Sequence, residues 1–172
     1  MTTRPDATEY EPHYAPYVAL VPDGEIITIL TSQLEKTLTL LRRLTEDRAG
    51  RAYAPGKWTI KEVLGHITDA ERILAYRALC IARKDKTPLP GFEQDDYVAG
   101  ANFNAQPISG LIEQFEAVRR SNLYLFGSFT DDAWKRRGTA NGKEISTRAL
   151  AYNIAGHELH HVGVLNSRYL AG

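Results

Sequence analysis

Four stretches of this chain place their apolar residues three or four positions apart, the spacing of one face of an α-helix. Ile26, Ile27, Leu30, Leu34, Leu38, Leu41 and Leu44 make the first stripe, and Ile60, Val63, Ile67, Ala70, Leu74 and Ile81 the second. Leu111, Phe115, Val118, Asn122 and Leu125 make a third row, and Leu150, Ile154, Val164, Leu165 and Tyr169 a fourth. A helix with one apolar stripe must bury it against another element. Strand-period alternation is almost absent. Four such helices of about 20 residues each predict an all-α, four-helix bundle.

The boundaries are marked by local chemistry. The first helix is expected after Pro22-Asp23, and "DRAGRAYAPGKW", with two glycines and a proline, breaks it. Thr59 and Glu62 have capping-box spacing and open the second helix, which "KTPLPGF" ends. Residues 86–107 form a long connection, expected to be ordered because Phe92, Tyr97 and Phe103 need something to pack on. Tyr97 and Asn102 are candidates for a pocket mouth. The third helix starts near Ser109. Thr130 caps a short turn, "TDDAW", and "RRGTANGKEI" is a turn or small extended piece before Ser146 caps the last helix. The long 86–107 link can cross the end of the bundle, so up-down-up-down order does not follow. Prolines at 5, 12, 16 and 22 suggest an extended arm over 1–22, with His13 in it, laid along a single domain of 23–172.

Charge excludes little but orders the rest. Basic and acidic residues number 21 each, so no net positive charge argues for nucleic acid. No apolar run approaches the ~20 residues of a membrane span, and the polar, proline-bearing N-terminus is not a signal peptide. Cys80 is the sole cysteine; it cannot form an internal disulfide, fits a reducing compartment, and is expected to pack rather than react. These features predict a cytoplasmic protein with no nucleic-acid or membrane partner.

Three of the five histidines lie in "AGHELHHVGVL". At 3.6 residues per turn His157 and His161 are about 40° apart on the apolar face, while His160 turns about 60° the other way. Two imidazoles one turn apart can grip one ion. Residues 157–161 also spell H-E-x-x-H, the zinc-protease signature. That function is disfavoured: none of the eleven residues after His161 is His, Asp, Glu or Cys, and Val164 and Ser167 stand where the extended pattern needs Gly and His. The third ligand must then come from upstream, and His66, at the edge of the second stripe, is the leading candidate. Three neutral imidazoles leave a coordination position open. The plainer alternative for His66 is a hydrogen-bonded core histidine.

Glu158, about 100° from His157, is the candidate catalytic proton acceptor; otherwise it is a boundary glutamate bonded to a neighbouring helix. Glu62 and Asp69, one turn to either side of His66, either orient its ring or are solvated charges. Glu71 is a candidate buried partner for an arginine. Trp58 and Trp134 are expected as core anchors at helix starts.

"GKWTIKEVLGHITDAERI" together with "AGHELHHVGVL" resembles the DinB-like (DNA-damage-inducible) family of small metalloproteins, which includes metal-dependent hydrolase-like proteins of bacilli. The resemblance runs from about residue 24 to the end. It is carried by the tryptophan before the second helix, the histidine that follows it within that helix, and H-x-x-x-H followed by glycine. "FEQDDYVAGANFNAQP" is similar to the link of one branch of that family. The resemblance implies a four-helix bundle with rearranged helix order and a divalent ion, zinc or nickel, on His66, His157 and His161. It also implies a homodimer. The wider superfamily includes transferases and isomerases that use low-molecular-weight thiols. The expected function is a metal-dependent hydrolase or thiol S-transferase. The rivals are a non-catalytic, stress-related metal- or ligand-binding protein and a metal-free helical interaction protein.

Overall fold

The computed structural model describes residues 3–171. The chain forms α1 (Ala15–Leu20), α2 (Ile26–Leu41), α3 (Glu46–Ala49), α4 (Ile60–Ala82), α5 (Gln94–Ala101), α6 (Ile108–Gly127) and α7 (Asp131–Lys135). A hairpin of β1 (Arg137–Ala140) and β2 (Lys143–Ser146) leads into α8 (Thr147–Val164), which ends in a π-helical turn, Leu165–Tyr169. Helix starts follow the capping residues in the sequence. The Thr59 hydroxyl accepts from the Glu62 amide, and the Glu62 carboxylate accepts from the Thr59 amide at 2.7 Å. Thr130 caps α7 and Ser146 caps α8. The small extended piece is the hairpin, turned at Asn141-Gly142, where both residues have positive φ as a tight two-residue turn requires.

The four long helices form a bundle. α4 packs against α6 and α8, and α2 packs against the same two. The order around the bundle is therefore α2, α6, α4, α8. Consecutive helices α2 and α4 lie on one diagonal, α6 and α8 on the other. The connections between diagonal partners are long: α3 and its flanking loops span the first, α7 and the hairpin the second.

The core is layered. One apolar cluster collects Ile26–Leu30 of α2, Leu74–Ala82 of α4, Phe126 of α6 and Ala149–Ala155 of α8. The other collects Leu34–Leu41, Ile60–Ile67, Ile108–Phe115 and Leu165. Between them each helix contributes buried polar residues: Gln33 and Thr37, Glu71, Arg119 and Asn122, and Glu158. Arg119 is fully buried and pairs with Glu71 through two bonds of 2.8 Å and with Glu158 at 2.7 Å. It also donates to the Leu30 carbonyl of α2. A buried arginine without such partners would be prohibitively costly. With them, the layer fixes all four helices in register.

The N-terminal arm is not extended throughout. After Arg4 it coils through two short 3-10 turns, Ala7–Glu9 and Pro12–Tyr14, into α1. Pro12 and Pro16 occupy first-turn positions, where a missing N–H costs nothing. α1 packs along α8, so residues 149–156 of α8 are buried on every side. A single apolar face for the last helix was therefore too simple an expectation. No helix among the described residues is long and apolar enough to cross a membrane.

Candidate metal centre

α4 and α8 pack against each other, with Leu74–Ala82 and Ala149–Ala155 in one buried cluster, and this contact brings the histidines together. His66 sits on α4, 3% exposed, while His157 and His161 are half-buried one turn apart on α8. The Nε2 atoms of His66 and His157 are 3.0 Å apart, and those of His157 and His161 are 3.1 Å apart. Ligand nitrogens of all three residues lie within 4.8 Å of one another. The rings stand steeply tilted to each other, at 67° to 73°. Two imidazoles bound at about 2.0–2.1 Å and subtending about 90–109° at an ion would lie about 2.8–3.4 Å apart. The cluster fits a divalent ion.

The electrostatics fit as well. Burial pushes His66 down to about 4, against the pull of the Asp69 and Asp95 carboxylates. His161 falls to about 3 through burial and then repulsion from His66 and His160. His157 is lowered well below its ordinary value by burial, then by its three histidine neighbours. All three rings are neutral near pH 7, the form that ligates metal. Neutral rings aim lone pairs at one another, and the two short contacts supply protons for only some of them. A cation at the shared point satisfies one nitrogen on each ring.

Around the cluster, Trp58 tilts over His66 with ring centroids 4.9 Å apart. Trp134 is a core anchor, buried with Phe126 and Phe129; Trp58 is a wall of the site. The Tyr169 hydroxyl donates to the Trp58 carbonyl at 2.6 Å and ties the final turn to that wall. A cavity of about 360 Å³ opens on His161 and is lined by Trp58, Tyr53, Lys57, Asp95, His160 and Tyr169 among others. The larger groove between α4 and α6, near Tyr76 and Ser121, lies away from the histidines.

The candidate acid–base residues separate. Glu158 is 1% exposed, and its two oxygens accept from Arg119 and from the Thr37 hydroxyl at 2.6 Å. It belongs to the charged layer, because the 100° step from His157 turns it toward α2 and α6. Glu71 is the buried arginine partner. Glu62 is engaged in the α4 cap, and Asp69 pairs with Arg72 at 2.8 Å. Tyr97, 48% exposed, lines a different cavity with Phe92 and Arg77, and Asn102 ends α5 in the left-handed conformation. The residue of the 86–107 link that does reach the site is Asp95, which the sequence did not single out. Its one available signal was its place in the first turn of an unrecognised helix.

The family model of the DinB superfamily matches residues 29–165. The chain belongs to the DinB superfamily. This DinB protein is 26% identical, over 139 residues, to a candidate metal-dependent hydrolase of Oceanobacillus iheyensis, a match covering 79% of this chain and 77% of the relative. Among solved structures it is similar to YfiT from Bacillus subtilis, a probable metal-dependent hydrolase with an unusual four-helix bundle topology. The TM-score is 0.70 at 14% identity, covering 94% of this chain and 89% of YfiT. It is also similar to a mycothiol-dependent maleylpyruvate isomerase, with a TM-score of 0.67 at 16% identity, covering 94% of this chain and 62% of the isomerase. Both structural likenesses, at 14% and 16% identity, are likenesses of fold.

Proposed function

We propose that this DinB protein is a metal-dependent hydrolase of a small molecule, with a divalent ion, zinc or nickel, held by Nε2 of His66, His157 and His161. The observation that carries the proposal is the convergence of three neutral Nε2 atoms beside an open cavity. The likeness to the Oceanobacillus and Bacillus proteins supports the reaction class. When bound, such an ion supplies Lewis acidity, which polarises a substrate oxygen and brings the pKa of water toward about 7. The chain supplies the rest. Trp58 and Tyr169 wall the cavity and exclude water from one side, and Lys57 offers a positive charge to an anionic substrate group. Asp95 takes the proton-accepting role in this reading, since it lines the cavity, while Glu158 is the boundary glutamate engaged with Arg119 and Thr37 of neighbouring helices.

A second reaction is supported by the fold of the mycothiol-dependent isomerase. There the same centre would act on a low-molecular-weight thiol, with Asp95 accepting the thiol proton. Both reactions suit a cytoplasmic homodimer.

Metal analysis of the purified protein tests the shared premise: about one zinc or nickel per chain, lost in His161→Ala. A panel of ester, amide and thiol-conjugation substrates then separates the two reactions. Asp95→Asn should retain the ion and lose about 10²–10⁴-fold in rate, the usual contribution of a positioned base. A loaded protein inert toward the whole panel would favour a non-catalytic binding module, and a metal-free one a helical interaction protein.

A further inference from the structure

We infer that the N-terminal arm is part of the metal centre, with Tyr17 of α1 acting as the positioning residue for His157. The inference rests on the three-histidine centre proposed above and goes beyond it, because the arm precedes the residues 29–165 that define the family match.

His157 is the middle ligand. Its Nε2 faces both His66 and His161, so its ring angle sets both short distances. The χ2 torsion of histidine is broad and nearly two-fold, so the ring's angle must be fixed by what packs on it. Tyr17 does this: its ring meets His157 edge-on, with centroids 5.7 Å apart at 72°, and meets His160 at 5.5 Å and 80°. Edge-to-face contact at these separations is the favoured aromatic geometry. Tyr17 does not line the cavity at His161; it backs the centre from the arm.

The close approach is built into α8. A Cβ on Gly156, the residue before His157, would lie 2.0 Å from the Tyr17 carbonyl oxygen and 2.4 Å from its carbon. Only glycine lets the α1 backbone come this near. The arm is then fastened on both sides of Tyr17. Arg4 donates to the carbonyls of Val18 at 2.7 Å and Val21 at 2.6 Å, and Val18 and Val21 enter the core. Glu9 is gripped by Arg148 of α8 through both carboxylate oxygens. These anchors lie outside the histidine cluster, so the arm can be loosened without touching a ligand.

The test is zinc affinity, measured by competition with a chromogenic chelator on the full chain, together with the visible spectrum of the cobalt(II)-loaded protein. Tyr17→Ala should weaken zinc binding about tenfold and alter the cobalt bands. Tyr17→Phe, which keeps the ring, should stay within about twofold of the parent protein. Gly156→Ala should weaken binding at least as much as Tyr17→Ala, by displacing the arm. Glu9→Gln, which loosens it from a distance, should weaken binding less. Circular dichroism and thermal unfolding of the metal-free variants establish that each is folded; if Gly156→Ala is not, the Tyr17 pair decides alone. Unchanged affinity and spectrum in Tyr17→Ala would overturn the inference, as would a Tyr17→Phe protein that behaves like Tyr17→Ala. A parent protein that binds neither zinc nor cobalt would instead overturn the three-histidine centre itself.

Discussion

His157 and Glu158 are adjacent in the chain and belong to opposite kinds of site. Glu158 enters the layer between the two apolar clusters, where Arg119, Glu71, Thr37 and Asn122 complete one another's hydrogen bonds and no group faces solvent. His157 enters a cluster whose nitrogens face each other and whose edge opens into a cavity. The charges of the first are held within the fold: Glu71 and Glu158 share Arg119, with Asn122 and Thr37 donating to them, and only the neighbouring Gln33 Oε1 is left without a partner among the described residues. The second is complete only with something added. Polar residues taken out of water therefore mean different things, and what separates them is whether their bonding capacity is used up by the protein itself.

The sharpest way to break the comparison is Arg119→Leu. It leaves Glu71 and Glu158 buried without their cation, and unfolding in denaturant should show a loss of about 3–5 kcal/mol or outright failure to fold. His161→Ala should have the inverse profile. Its metal-free stability should change by about 1 kcal/mol or less. Its metal affinity should fall by more than the roughly 10–100-fold typical of losing an outer partner. If His161→Ala proved as damaging to the metal-free fold as Arg119→Leu, the histidines would be core residues and the distinction would fail.

Acid separates the two regions next. The histidines are neutral in the folded protein, with His66 at about 4 and His161 at about 3, but titrate near 6.5 when unfolded. Below pH about 6.5 the unfolded chain binds more protons, so stability falls as pH drops toward 4 and 3. For the metal-free protein the loss by pH 5 should be on the order of 2 kcal/mol for each of these two rings. Bound ion should delay it, since protons and metal compete for the same nitrogens. Glu9 runs in a lower window. Burial raises its carboxyl, but Arg148, Ser146 and the Asp6 amide outweigh this and hold it at about 2. Its contribution is present above about 4.5 and is lost as pH falls toward 2. Stability curves at pH 7, 5 and 3, with and without zinc, should show the histidine loss first. A metal-free protein equally stable at pH 7 and pH 5 would contradict the buried neutral rings.

Gly65, beside His66, offers a smaller perturbation. A Cβ there would lie 2.4 Å from the Phe103 ring, so Gly65→Ala should shift the 103–105 turn and cost about 1–3 kcal/mol by overpacking. Thermal unfolding measures it. The charged layer should be indifferent, while the cavity wall near Asp95 should loosen.

Much of this was legible in the sequence, for reasons that differ by residue. The four stripes, the Thr59–Glu62 box and the Thr130 and Ser146 caps are local signals, and local signals survive tertiary packing. His157 and His161 share a helix, so their spacing gave their relative direction. His66 could be proposed because a bundle brings helices face to face. For Glu158 the sequence left two readings open, and Asp95 was not singled out, because their environments are set by distant residues. Glu158 meets Thr37 across 121 positions, and Asp95 reaches the cavity only because α5 forms inside a link that looked irregular. The arm was misjudged for the same reason. Its prolines argue for extended chain, yet two of them sit where a helical turn accepts them, and Gly156 makes room for the result.

The smallest expected effect sharpens the comparison from the local side. Thr59 lies seven residues, about two turns, before His66, and its hydroxyl serves only the first turn of α4 and Asn104. Thr59→Ala removes a cap and should cost about 1 kcal/mol of stability. The position of His66 is fixed further along α4, by the polar layer at Glu71 and the packing against α8, not by the fraying of its first turn. Zinc affinity should therefore be unchanged in Thr59→Ala while the unfolding midpoint drops. A parallel fall in affinity would mean that the histidine cluster draws its geometry from the helix end, and that the buried layer does not hold it in place.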